Sequence, residues 1–139
     1  MKKRLADKAK KSLIIVNPAS GLGDGSDRTK HIKELAEARG WRGKIVETTR
    51  RKGASEIAKS AIRQGVTHLI ICGGDGTVME VLEVIMQTKV TLGVVPLGTG
   101  NLFARNLAIP LEMSEALKIA LLGTIQQIDI CQVPHMSDS

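Results

Sequence analysis

Apolar residues in this chain fall into two kinds of run. Leu13 to Val16, Lys44 to Thr48, His68 to Cys72 and Thr91 to Val95 are short stretches rich in β-branched residues, without the in-out alternation of a half-solvated sheet. They read as strands buried on both faces. Between them, apolar positions recur at helical spacing: Ile32, Leu35, Ala36 and Ala38 within Asp27 to Ala38, then Ile57, Ala58, Ala61 and Ile62 within Ala54 to Gln64; Thr77 to Gln87 reads as a third helix. Arg39-Gly40 and Gly65 supply helix stops. Leu102 to Leu107 predicts a short helix closed by Pro110, and Ser114 to Leu122 another, with Ser114 as N-cap and Gly123 as stop. Ile125 to Val133 reads as a last strand, with partial alternation. Strand and helix alternate throughout, so the expected fold is α/β: layered, with a mainly parallel sheet, right-handed crossovers and helices on both faces, a Rossmann-like arrangement.

The turns after the strands are rich in glycine. Cys72-Gly73-Gly74-Asp75-Gly76-Thr77 joins the third strand to its helix, and a reversal so short calls for positions without a Cβ, where positive φ or close backbone approach is open. Thr77 with Glu80 three residues on fits a capping box and predicts a helix starting at Thr77. Asn17 to Gly25 follows the first strand, Thr48-Thr49-Arg50 the second, and Leu97-Gly98-Thr99-Gly100-Asn101 the fourth. In an open parallel sheet all these loops emerge at the carboxyl edge, where ligands bind beside the reversal of strand order. Free N–H groups at a helix start, with glycines that let oxygens come close, suit phosphate. Asp75 is repulsive to phosphate unless it binds a cation, accepts a proton, or caps N–H groups as an Asx turn. The residues leave these three open.

At 139 residues the chain is one domain, and one Trp, one Phe and no Tyr leave its core to aliphatic side chains. Trp41 and Phe103 are too few for a stacking platform, which argues against nucleic-acid partners. The net charge of +6 draws on Lys2, Lys3, Arg4, Lys8, Lys10 and Lys11, and again on Arg39, Arg42, Lys44, Arg50, Arg51 and Lys52. The first group reads as a solvated tail over residues 1–11 or as an attachment to anionic lipid. Cys72 and Cys131 have no short-spaced partners, and Cys72 reads as a small buried hydrophobe. No apolar run nears the ~18 residues of a membrane span, and no signal-peptide core follows the basic start, which leads to an expectation of a cytoplasmic protein, with peripheral membrane contact if the tail binds lipid.

Two familiar phosphate motifs do not fit. A Walker loop needs Gly-Lys-Ser/Thr, absent from Gly21 to Ser26 and from Gly73 to Thr77, and the dinucleotide fingerprint fails because Phe103 stands at its last glycine. Taken together, Asn17-Pro18-Ala19-Ser20-Gly21, Gly73-Gly74-Asp75-Gly76-Thr77 and Pro96 to Arg105 resemble the diacylglycerol kinase catalytic domain, shared with sphingosine kinases and bacterial lipid kinases. The resemblance covers residues 13 to about 131. It implies ATP, Mg²⁺ and transfer of the γ-phosphoryl group to a lipid hydroxyl, such as that of diacylglycerol, at a membrane surface in phospholipid metabolism. NAD kinases and sugar-phosphate kinases share the Gly-Gly-Asp-Gly core and are the alternative enzymes, and a non-catalytic nucleotide- or membrane-binding module is the alternative of another class. The site implied is Asn17, Ser20, Gly21, Thr49, Gly73 to Thr77, Glu80 and Gly98 to Asn101, with Asp75 as proton acceptor or Mg²⁺ ligand. Met79 and Leu102 depart from the polar residues common there. The family's second, β-rich domain, which Ile128-Asp129-Ile130 resembles the entry to, is absent from this sequence. The expectation is therefore a nucleotide-binding domain over 12–133 that binds ATP weakly and does not turn over alone, with a polar tail over 134–139.

Overall fold

A computed structural model describes residues 11–21, 26–123 and 125–128. Four parallel strands, β1 (Ser12–Val16), β2 (Lys44–Glu47), β3 (His68–Gly73) and β4 (Thr91–Pro96), lie in the order β2-β1-β3-β4. The pairings run in register, with Ile14 beside Ile45 and Ile70, and Ile70 beside Gly93. Helices α1 (Ser26–Ala38), α2 (Ala54–Arg63), α3 (Asp75–Ile85), α4 (Leu102–Asn106) and α5 (Met113–Leu122) connect and follow them.

Because successive side chains of a strand point to opposite faces, the unbroken apolar strands feed two cores at once. Leu13, Ile15, Leu69, Ile71 and Val94 face α2 and α3. Ile14, Val16, Ile70, Cys72 and Val95 face α1 and α5. The helices present matching stripes: Ala54, Ile57, Ala58 and Ala61 on α2, and Val78, Val81, Leu82 and Ile85 on α3, each at i, i+3, i+4, i+7. Each fully buried aliphatic side chain contributes roughly 1.5–3 kcal/mol relative to exposure. Cys72 is wholly buried, which pushes its thiol pKa far up and makes it the small hydrophobe its position predicted.

Helix starts differ from expectation in two places. α3 begins at Asp75, with extended Gly74 as its N-cap, so Thr77 lies inside the first turn and forms no capping box with Glu80. The reason is tertiary: the Thr77 hydroxyl accepts from Asn17 Nδ2 at 2.9 Å, sixty residues away. α5 is capped not by Ser114 but by Glu112, whose carboxylate accepts from Ser114 N at 3.1 Å and Glu115 N at 2.7 Å. A carboxylate at a helix start also meets the positive end of the dipole. Ile119 of α5 is 47% exposed, while Ala116, Leu117 and Leu121 face the core. Residues 125–128, the start of the expected last strand, are exposed and form no strand. The rest of that strand, Cys131, the 1–10 part of the basic tail, the 22–25 part of the first loop and the 134–139 tail lie outside the described residues.

Candidate functional site

Strand order reverses between β1 and β3, so the loops leaving these two strands flank the switch point of the sheet. They are tied together there. Asn17, directly after β1, donates its backbone N–H to the Cys72 carbonyl at 2.9 Å and its side-chain amide to Thr77, while Gly74 N donates to Ser20 Oγ at 3.3 Å. The loop after β4 joins them. Leu97 N donates to the Gly73 carbonyl at 2.9 Å, and Gly21, with φ of 79°, packs so closely on the Leu97 carbonyl that any side chain would collide with it.

The reason for glycine in the β3–α3 turn is proximity rather than handedness. Among the described residues the glycines with positive φ are Gly21, Gly40 and Gly65, the last two at helix ends; Gly73, Gly74 and Gly76 are not among them. Of the two possibilities open to this turn, positive φ or close backbone approach, the second is the one present. A Cβ on Gly98 would lie 2.8 Å from Gly74 Cα, and one on Gly74 would lie 3.3 Å from Gly98 Cα, so two loops touch backbone to backbone. Gly76 is different. It is exposed in the first turn of α3, and a Cβ there would meet nothing within 4 Å. The first intrahelical bond is Val78 N to the Gly74 carbonyl at 3.1 Å, so the N–H groups of Asp75, Gly76 and Thr77 precede it at the dipole's positive end.

Asp75 clamps the second and third loops. Its Oδ2 accepts from Leu102 N at 2.9 Å and its Oδ1 from Phe103 N at 3.0 Å, the first N–H groups of α4. These two bonds, Phe103 first and then Leu102, hold its carboxyl below the usual aspartate range against a smaller opposing effect of burial. The geometry is neither an Asx turn nor a free carboxylate. Two of roughly four lone-pair positions are taken, which leaves the carboxylate further acceptor capacity.

Of the other expected site residues, Thr99 and Gly100 are exposed on the same edge, and Asn101 turns its amide onto Gly98. Thr49 forms a turn of its own, its hydroxyl accepting from Lys52 N at 3.0 Å. That turn approaches α3 through Gly53, where a Cβ would lie 3.4 Å from Glu80 Oε2. Two cations absent from the expected set also reach the loops: Arg28 donates to the Ser20 carbonyl and Arg105 Nε to the Gly100 carbonyl at 2.9 Å. Arg105 closes the motif read from the sequence, whereas nothing local marks Arg28. Among the described residues no three His, Cys, Asp or Glu side chains gather to hold a metal ion, and no helix is long and apolar enough to cross a membrane.

Known proteins share this arrangement. Residues 11–133 match the family model of the diacylglycerol kinase catalytic domain. The chain is 33% identical to a probable lipid kinase, YegS, of Escherichia fergusonii over 126 residues, 88% of this chain and 41% of that protein. It is 35% identical to a diacylglycerol kinase of Bacillus subtilis over 127 residues, 89% of this chain and 42% of that one. A crystal structure of a diacylglycerol kinase from Bacillus anthracis superposes with a TM-score of 0.69 at 32% identity, over 80% of this chain and 42% of that chain. The chain thus spans about two-fifths of the length of the relatives it matches. With its parallel α/β sheet, its three joined loops and a family match over nearly all its length, this chain belongs to the diacylglycerol kinase catalytic domain family.

Proposed function

We propose that this chain is the ATP-binding part of a lipid kinase, holding the triphosphate over the carboxyl edge of the sheet while the γ-phosphoryl group passes to a lipid hydroxyl such as that of diacylglycerol. The observation that carries the reading is the joining of three glycine loops around the start of α3, with Gly76 open above its first N–H groups. The names of the relatives, lipid kinase and diacylglycerol kinase, support the acceptor class over a nicotinamide or sugar.

Phosphoryl transfer asks mainly for positioning and charge stabilisation. In this reading the α3 N–H groups and the loop amides grip phosphate oxygens, with Asn17, Ser20 and Thr77 fixing the loops and Thr99 and Thr49 at the rim. Asp75 stays ionised beside them, its remaining acceptor capacity available to take the proton of the attacking hydroxyl. Asp75 would hold a Mg²⁺ ion, and the ion would supply neutralisation of the phosphate charge. The donor set fits a cation that arrives on the nucleotide and meets Asp75, since the described residues build no cage of their own. Attachment to a membrane surface in phospholipid metabolism belongs to the same proposal.

Gly76→Ala is the test, because the fold tolerates the methyl and a bound phosphate would not. The variant should melt at or slightly above wild type, since Ala is favoured over Gly in a helix by about 0.5–1 kcal/mol. Its affinity for ATP with Mg²⁺, measured by calorimetric titration, should fall at least about tenfold, the equivalent of ~1.4 kcal/mol. Equal ATP affinity of the two chains, or no ATP binding by wild type, would sink the reading.

A further inference from the structure

Helix α4 starts without help from its own N-cap side chain. Asn101 holds a left-handed backbone, φ 53° and ψ 46°, and is 9% exposed. An asparagine at this place ordinarily accepts from an N–H of the first turn. Here the amide is turned back: Oδ1 accepts from Gly98 N at 2.9 Å and Nδ2 donates to the Gly98 carbonyl at 2.7 Å. Both of its polar atoms are thereby committed to closing the Gly98–Asn101 turn, and the first N–H groups of α4 go instead to Asp75. Gly98 is also the residue that touches Gly74.

We propose that Asn101 is a positioning residue, one that closes its own turn so that α4 presents its first N–H groups to Asp75 and the β3–α3 and β4–α4 loops are held as one unit. Its influence on a nucleotide passes through this clamp and not through contact with the ligand. The consequence for ATP rests on the function proposed above, but the clamp itself is built from this chain's own atoms. Asparagine suits the position for two reasons. It tolerates left-handed backbone better than most residues, and its side chain carries one donor and one acceptor, as Gly98 requires. Aspartate would set a carboxylate oxygen against the Gly98 carbonyl.

The test is a cycle on the full 139-residue chain, reading amide hydrogen exchange without ligand. Asn101→Gly keeps the left-handed backbone and removes both side-chain bonds. It should speed exchange of the Leu102 and Phe103 amides about tenfold or more while Ile14 and Ile71 stay protected. In an Asp75→Ala background those amides are already fast, and adding Asn101→Gly should change them no further; Asp75→Asn, which keeps one acceptor, replaces Ala if that variant does not fold. Asn101→Asp should not restore protection. Unchanged exchange in Asn101→Gly, or rate effects that multiply in the double variant, overturns the proposal. So does a loss of ATP affinity in Asn101→Gly with the two amides unaffected, since that marks direct contact. Failure of wild type to bind ATP removes the proposed function and leaves the exchange cycle fully readable.

Discussion

Asp75 caps a helix other than the one it begins. It is the first residue of α3, yet its carboxylate accepts the first two N–H groups of α4. Those bonds lower its pKa in the folded chain. The sign of the linkage follows. A carboxyl depressed on folding adds stability that is present above its unfolded pKa of about 3.9 and is lost as pH falls through the lower folded value. Asp75→Asn should therefore be less stable than wild type at pH 7, and the gap should close as the pH is brought below about 4. Denaturant melts of both chains across that range read it out, and a gap of constant size would show that the two bonds add nothing. The sequence marked Asp75 as the odd residue among glycines but left base, metal ligand and turn open. Its partners lie 27 and 28 residues away, and no local pattern names them.

At the scale of elements, α5 seats on β4 through a missing side chain. A Cβ on Gly93 would lie 2.8 Å from Ala120 Cβ and 3.3 Å from its Cα, closer than real contacts allow. Gly93→Ala should destabilise the chain by roughly 1–3 kcal/mol through overpacking. Ala120→Gly alone should cost about 1 kcal/mol as a glycine in a helix. Together they should be more stable than the sum of their separate losses, because the second makes room for the first. Strictly additive losses in chemical denaturation would place the strain elsewhere. The stripe of α2 was legible in the sequence at Ile57, Ala58 and Ala61 because burial of one face imposes a 3.6-residue period on the chain itself. The caps of α3 and α5 lie three and two residues before the expected Thr77 and Ser114, for a different reason. A hydroxyl near a helix start has several possible partners, and which one wins depends on what the fold brings close: Asn17 for Thr77, and for α5 the longer reach of Glu112.

Across the whole molecule, the two cores lie on either side of the sheet, with Ile109 packed against both, and one aromatic residue secures the second. Trp41 is fully buried in the cluster that also holds Ile14, Val16 and Ile32, in close contact with Gly43, and its Nε1 donates to Ser12 Oγ at 2.8 Å. The bond ties the end of α1 to the start of β1. Ser12→Ala leaves that indole N–H buried without this acceptor and should cost about 1–3 kcal/mol. Denaturation followed by Trp41 fluorescence, the chain's single tryptophan, should show this as an earlier but still cooperative transition. An unchanged midpoint would mean the bond is not needed. Alternation of strand and helix, parallel pairing, burial on both faces and loops gathered at the carboxyl edge were all determined by the sequence, because each follows from hydrophobic period and turn chemistry within a few neighbouring residues. The order β2-β1-β3-β4, the contact of Gly74 with Gly98, the reach of Asp75 to α4 and the arrival of Arg28 at Ser20 were decided by the tertiary structure. Apart from Arg28 and Ser20, which are eight residues apart, they join residues far apart in the chain, and such contacts exist only once the sheet has brought the ends of β1, β3 and β4 together.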